Sequence, residues 1–158
     1  MFKEYKNYKP FLDEITDKTL KRRAEFSLKY YINHAVLYKC LWHIFSAAGI
    51  VLPALATLVA SLNKDEYNYI VVLITACTTV VTGFLALFKC ADKKTSYRNS
   101  AENLKSELCA YASQKGIYAG EMSDRDEILF NRMEGIIREG YQRIEALENE
   151  KEERKDEK

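Results

Sequence analysis

Two stretches of the chain carry no charged side chain, residues 40–63 and 67–88. The first reads CLWHIFSAAGIVLPALATLVASLN and the second YNYIVVLITACTTVVTGFLALF. Both are apolar around the whole circumference of a helix, whereas a helix of a soluble bundle keeps one polar face. As helices of about 22 residues each would reach roughly 33 Å, enough to cross a hydrocarbon core with a little tilt. The pattern predicts two membrane spans, about 40–63 and 67–88. Between them stands Lys64-Asp65-Glu66, too short for anything but an antiparallel turn. No hydrophobic run opens the chain, and no cleaved signal peptide is expected.

The polar regions read as helix almost throughout. From Asp13 to Lys39 there is no Gly or Pro, and Leu20, Ala24, Ser27, Tyr31, Ala35 and Tyr38 recur at helical spacing. This segment is expected to run straight into the first span. After the second span Tyr97, Ala101, Leu104, Leu108 and Tyr111 follow a 4-3-4-3 rhythm, the seam of a packed helix or coiled coil. Gly116 after Lys115 suits a helix C-cap. A loop from Gly116 to Met122 then leads to Ser123-Asp124-Arg125-Asp126, an N-cap with acids in the first turn. The last helix carries Leu129, Met133, Ile136, Ile137, Tyr141, Ile144 and Leu147, and ends in ENEKEERKDEK, a solvated helix end or frayed tail.

The expected fold class is an all-α membrane protein, a two-span transmembrane helical hairpin extended into a cytoplasmic helical bundle. Its parts would be an N-terminal cytoplasmic helix with an amphipathic start (1–39), the hairpin (40–88), C-terminal cytoplasmic helices (89–147) and a charged tail (148–158).

Charge sets orientation and excludes some partners. With 24 basic against 23 acidic residues the chain is close to neutral, which argues against a nucleic-acid binder. Lys21, Arg22, Arg23, Lys29 and Lys39 precede the first span, and Lys89, Lys93, Lys94, Arg98 and Lys105 follow the second; the turn has only Lys64. This bias puts both termini in the cytoplasm of a cell with the hairpin in its inner membrane. Trp42 and Tyr38 would sit at the inner interface, Tyr67 and Tyr69 at the outer.

Candidate chemistry is sparse. Cys40, Cys77, Cys90 and Cys109 show no CxxC spacing, and His34 and His43 complete no zinc set. His43 reads as a group titrating near neutrality or as an interfacial residue bonded to backbone or water. There is no phosphate loop, no Gly-x-Ser-x-Gly and no intramembrane charge to relay protons. No cofactor, no metal and no enzymatic activity are expected. The N-terminus sets Phe2, Tyr5, Tyr8 and Phe11 every third residue with Lys3, Lys6 and Lys9 between them. That alternation suits docking at an anionic leaflet or packing on the cytoplasmic bundle.

The spans offer two stripes. In the first, Ser46, Gly49, Pro53, Ala56 and Ala60 follow one another at helical spacing; in the second, Thr75, Thr79, Thr82 and Ala86 do so. Small residues let backbones approach and threonines bond between helices, so either stripe reads as a packing face. Either also reads as a pore lining, where hydroxyls hydrate ions and apolar neighbours gate by dewetting. Pro53 is expected to kink the first span beside Gly49, as a static feature or as the bend of a gate.

Tyr97-Arg98, then Ala101-Glu102-Asn103-Leu104-Lys105-Ser106-Glu107, Gly116-Ile117-Tyr118, and a closing helix with Phe130 and Arg132 follow the two-span hairpin. Over most of residues 20–147 the chain resembles the SLATT family, bacterial two-transmembrane proteins found beside nucleotide-second-messenger synthases and nucleotide-sensing domains in defence systems. The resemblance implies an oligomeric membrane pore that harms the infected cell when triggered. The chain carries no fused nucleotide-sensing domain, so the resemblance places the trigger in a nucleotide-sensing or synthase partner, or in the bundle itself. The expected function is a homo-oligomeric pore or ion channel in the lipid bilayer, an effector of bacterial defence or stress. The alternative is a membrane-anchored scaffold whose cytoplasmic helices recruit a partner protein.

Overall fold

A computed structural model describes residues 2–62 and 68–156. The chain forms α1 (Phe2–Asp13), α2 (Lys18–Ser61), α3 (Asn68–Phe88), α4 (Cys90–Ala112) and α5 (Met122–Asp156), with a 3-10 turn at Gly116–Tyr118. No strand occurs among the described residues. The turn Lys64-Asp65-Glu66 and the interfacial Tyr67 lie outside the described residues, as do the side chains of Phe2, Lys3, Tyr5 and Lys6. Two compact units emerge. One is Tyr38–Ala91; the other joins the chain before Tyr38 to the chain after Ala91.

The second of these units has a core. The α4 row Tyr97, Ala101, Leu104, Leu108 and Tyr111 is buried throughout, as its 4-3-4-3 spacing predicts. On α2 the row Leu20, Ala24, Leu28, Tyr31, Ile32 and Ala35 is buried with it, and α5 adds Leu129, Met133 and Ile137. Removing these side chains from water supplies the stabilisation, about 1.5–3 kcal/mol for each large aliphatic one. Leu12 and Ile15 are also buried, and Lys105 stands 5.0 Å above the ring of Tyr8. The N-terminal aromatic segment, where described, thus packs on its own chain.

Polar contacts pin the helices together. Arg23 of α2 donates from Nε and Nη2 to Glu134 of α5, at 2.9 and 3.2 Å, a planar fork on a carboxylate. Lys93 is buried along its stem and reaches Glu148 at 2.6 Å. Three buried tyrosines each find an acceptor. Tyr31 donates to the Ile137 carbonyl at 3.4 Å, Tyr111 to Asp126, and Tyr118 to Glu107 at 2.7 Å. Burial pushes the Tyr31 phenol up to about 12, and burial with the bond to Asp126 does the same for Tyr111. Tyr118 is raised too, by burial first and then by Glu107.

The helix expected to run from Asp13 to Lys39 is interrupted. Chain residues 14–17 are non-helical, and the Asp17 carboxylate accepts the Thr19 backbone N–H at 2.8 Å. An aspartate bonding two residues ahead offers the backbone an alternative to helix and starts α2 afresh. Gly116 does not cap α4. The helix stops at Ala112, and Gln114 takes the left-handed conformation (φ 53) while its N–H bonds the Tyr111 carbonyl at 3.1 Å. Tyr118 is the reason: it must return into the core beside Tyr111, so the chain reverses early and Gly116 (φ 64) opens the 3-10 turn. The last helix begins at Met122, so Ser123 falls within its first turn rather than before it. Its side chain lies outside the described residues.

Tyr141, expected on the buried seam of α5, is 56 % exposed. Gly140 takes the contact instead. A Cβ added there would stand 2.8 Å from the Tyr31 hydroxyl and 2.9 Å from Ser100 Oγ. The close approach centred on Gly140 turns its neighbour outward, about 100° around the helix.

Gly140→Ala should therefore lower stability by about 1–2 kcal/mol, because overpacking exceeds the gain in helix propensity. Gly135→Ala, on the same helix with nothing within 4 Å of the new Cβ, should raise it by about 0.5–1 kcal/mol. Thermal unfolding in mild detergent reads both, and equal signs would contradict the packing described.

The raised phenols give a second expectation. They remain protonated in the folded chain where the unfolded chain, near 10.0, already ionises. Their stabilisation is complete below about pH 10 and is lost as pH rises towards 12. The unfolding temperature should drop across that window, and less steeply in a Tyr31→Phe, Tyr111→Phe variant.

Candidate functional site

The unit Tyr38–Ala91 has a different physics. It holds the apolar part of α2 and all of α3, the two helices long and apolar enough to cross a membrane, and no residue in their most apolar stretches is buried. What contact exists is one-sided. On α2 the half-buried positions include Leu41, Phe45, Ala48, Leu52, Ala56 and Val59; on α3 they include Val71, Ile74, Thr78, Val81 and Leu85. Each row recurs by threes and fours, one face of a helix. Phe45 meets Phe84 with ring centroids 4.5 Å apart, and Phe84 stacks on Phe88 at 4.0 Å.

The threonine stripe lies off this seam. Thr75, Thr79, Thr82 and Ala86 are exposed. At 100° per residue their common direction is about 100° around α3 from the half-buried row. Their hydroxyls turn back along their own helix. Thr75 donates to the Val71 carbonyl at 2.8 Å, Thr79 to Thr75 at 3.1 Å, and Thr82 to Thr78 and Thr79 at 3.0 and 3.1 Å. Such back-bonding satisfies the donor where no water is present and leaves oxygen lone pairs outward. The hydroxyls of this stripe do not bond across to α2.

The first stripe divides. Ser46, Gly49 and Ala56 are half-buried, and Ala56 belongs to the row turned to α3; Pro53 and Ala60 are exposed. The chain stays helical through Pro53, whose carbonyl accepts the Thr57 hydroxyl at 2.9 Å. A Cβ on Gly49 or on Gly83 would meet nothing within 4 Å, so no contact within the chain demands either glycine. His43 is exposed, its ring 5.0 Å from that of Trp42; Cys40 and Cys77 are exposed as well.

Sequence reasoning passed over Thr78. It shares the 74–78–81–85 spacing of the apolar row, is half-buried, and donates to the Ile74 carbonyl at 2.9 Å. That spacing was the available signal, hidden because three neighbouring threonines form the more regular stripe. In the other unit a cleft of about 350 Å³ opens between the start of α2 and the start of α5. Asp17, Arg23, Asp126, Glu127 and Phe130 line it. Its residues are scattered over more than a hundred positions, beyond the reach of any local pattern. Among the described residues no group of His, Cys, Asp and Glu could hold a metal ion.

The family described as "Protein of unknown function (DUF4231)" matches residues 25–126, more than half of the chain. The chain belongs to the DUF4231 family. The matched DUF4231 region takes in α2 from Glu25 onward and all of α3 and α4, while α1, the start of α2 and most of α5 lie beyond it. No curated protein and no solved structure matches the chain.

Proposed function

We propose that this DUF4231 protein is a membrane protein whose α2–α3 hairpin spans the bilayer and assembles, as a homo-oligomer, into an ion-conducting pore. The observation that carries the reading is an apolar unit without a core. Ile44, Ile50, Leu58, Val72, Leu73 and Val80 are each at least 60 % exposed. In water such a surface would be an aggregation site; in hydrocarbon it is the ordinary surface of a span. Two helices enclose no water path, so conduction requires several copies. The threonine face, unused within the chain, is the polar surface that such an assembly would turn to its axis. The resemblance to the SLATT family supports a role as a bacterial defence or stress effector, with the trigger arriving from a nucleotide-sensing or synthase partner.

A second reading, a membrane-anchored scaffold, is favoured by one observation. The cleft at Asp17, Asp126 and Glu127 is walled by Phe130, which is 48 % exposed, and this combination suits a basic side chain with an apolar stem on a partner protein.

The cation bias around the spans supports an orientation with both termini in the cytoplasm. A thiol introduced at Asp65 should be labelled by an impermeant reagent on intact cells, and one at Glu150 should react only after lysis. The reverse pattern would overturn the orientation.

Conduction is tested by ion flux from liposomes holding the purified protein. Thr75→Val, Thr79→Val and Thr82→Val keep shape and delete a hydroxyl. A pore lining would dewet and conduct less with its assembly intact. A packing face would instead lose contacts worth about 0.6 kcal/mol each on average, and the oligomer would loosen with its unit current unchanged. The first outcome is expected. A protein that is monomeric in nanodiscs and permeates nothing would leave the scaffold reading standing.

A further inference from the structure

The charged part of α2 carries a second apolar row, on the side opposite the buried one from Leu20 to Ala35. Phe26 is 66 % exposed and Leu37 is 52 % exposed. Phe26 and Tyr30 share a shallow depression with Tyr141, the ring turned outward beside Gly140. We infer that this row is the surface through which two copies of the chain pair, α2 against α2 in parallel. The inference rests on the bilayer placement proposed above and does not depend on conduction.

Spacing carries it. Phe26, Tyr30, Asn33, Leu37, Cys40 and Ile44 follow one another by 4-3-4-3-4, and α2 is helical without a break from Lys18 to Ser61. The buried row of α4 has the same rhythm and is covered; this one is not. Five of the six positions are exposed and Tyr30 is half-buried. A 3.5-residue period is the seam of two helices that wind around each other. Within the uncharged stretch any row is apolar, so the informative positions are Phe26, Tyr30 and Leu37. They stand among Arg22, Arg23, Glu25, Lys29 and Lys39.

The place of the row decides what covers it. At 1.5 Å per residue Phe26 lies about 21 Å before Cys40, where the uncharged stretch begins. A headgroup layer is only about 5–7 Å deep, so lipid does not reach Phe26. Its cover is protein. That protein must also follow the row past Cys40 into the uncharged stretch, and so must carry a helix that is charged at one end and apolar at the other. This chain has such a helix. Copies inserted in the same direction bring their α2 helices together in parallel, so that each position of the row meets its counterpart. Asn33 then meets a second Asn33, and an Asn within a seam fixes register when it finds a polar partner. Lys29, beside the row, is paired with Glu25 of its own helix at 2.6 Å, which softens the repulsion between two approaching copies.

The test is cross-linking of the purified full-length protein in liposomes at low protein density, with a short bismaleimide that joins two thiols. Cys77→Ser with Cys109→Ser leaves Cys40 as the exposed cysteine and Cys90 buried. This background should form a covalent dimer through Cys40, and adding Cys40→Ser should lower the yield at least fivefold. On that last background Asn33→Cys and Leu37→Cys should restore the dimer. Lys39→Cys, exposed but about 160° around the helix from Leu37, should give at least fivefold less. Phe26→Ser with Leu37→Ser removes only exposed side chains and should weaken the Cys40 cross-link at least fivefold with helix content unchanged. Equal yields from Leu37→Cys and Lys39→Cys overturn pairing through this row. Purified protein that forms no cross-link at any of these positions overturns the second copy as occupant and leaves the row to a different protein. Ion flux separates the inference from the pore reading. Flux without these cross-links overturns the pairing and leaves the pore, whereas cross-linked pairs that pass no ions overturn the pore and leave the pairing. Protein washed from the liposomes by alkaline carbonate overturns the bilayer placement itself, and the inference with it.

Discussion

An apolar surface with nothing to cover it is the constraint on which the rest of the molecule turns. The unit Tyr38–Ala91 presents Leu, Ile, Val and Phe around two helices and buries none of the residues in their most apolar stretches. Helices are the form that permits this, since their backbone hydrogen bonds close within the segment and ask nothing of the surroundings. The polar side chains obey the same rule. Thr57, Thr75, Thr78, Thr79 and Thr82 all donate to carbonyls of their own helix, which leaves no hydroxyl donor of this group stranded in an apolar medium.

The other unit solves the opposite problem. Its helices are rich in charge, and they cohere through a narrow seam with polar clasps around it. Small residues at the contacts (Ala24 and Ala101 fully buried, Gly140 against Tyr31) let the backbones approach. Arg23 with Glu134, and Lys93 with Glu148, then tie α5 to α2 and to α4. The Arg23–Glu134 pair, partly exposed, adds at most about 1 kcal/mol, so this clasp fixes register more than it supplies stability. The tyrosines do both. Tyr31, Tyr111 and Tyr118 each bury a large ring and leave the hydroxyl on an acceptor, which an apolar core residue could not do in a unit so rich in charge.

Much of this was legible in the sequence because it depends on spacing. The two uncharged segments, the α4 seam and the α2 row Leu20 to Ala35 are periodic, and period is what a linear chain displays. What stayed hidden depends on contacts between distant residues. Nothing near Tyr141 announces that Gly140 will meet Tyr31 and Ser100, and only that contact turns Tyr141 outward. Gly116 looked like a cap because glycine is the usual left-handed residue; burial of Tyr118 moved the reversal to Gln114. At Asp17 the local signal was present, an aspartate two residues before a threonine N–H, but the absence of Gly and Pro masked it. In the apolar unit the threonine stripe was legible as a stripe. Its placement outside the seam was not, because Thr75 and Thr78 are only about 60° apart around the helix, and the edge of the contact falls between them, with Thr78 half-buried and Thr75 exposed.

The glycines show how differently the two units use the same residue. A glycine within a helix costs about 1 kcal/mol relative to alanine unless its missing side chain is put to use. Gly140 is put to use within the chain, where a Cβ would collide with two buried hydroxyls. Gly49 and Gly83 have the same cost and no such return, since nothing of the chain lies within 4 Å of where their Cβ would be. In the assembly proposed above, a neighbouring helix could approach closely at these positions, as small residues allow between spans. Gly140 is thus explained by contacts within the chain, whereas Gly49 and Gly83 are places where the proposed assembly can be probed.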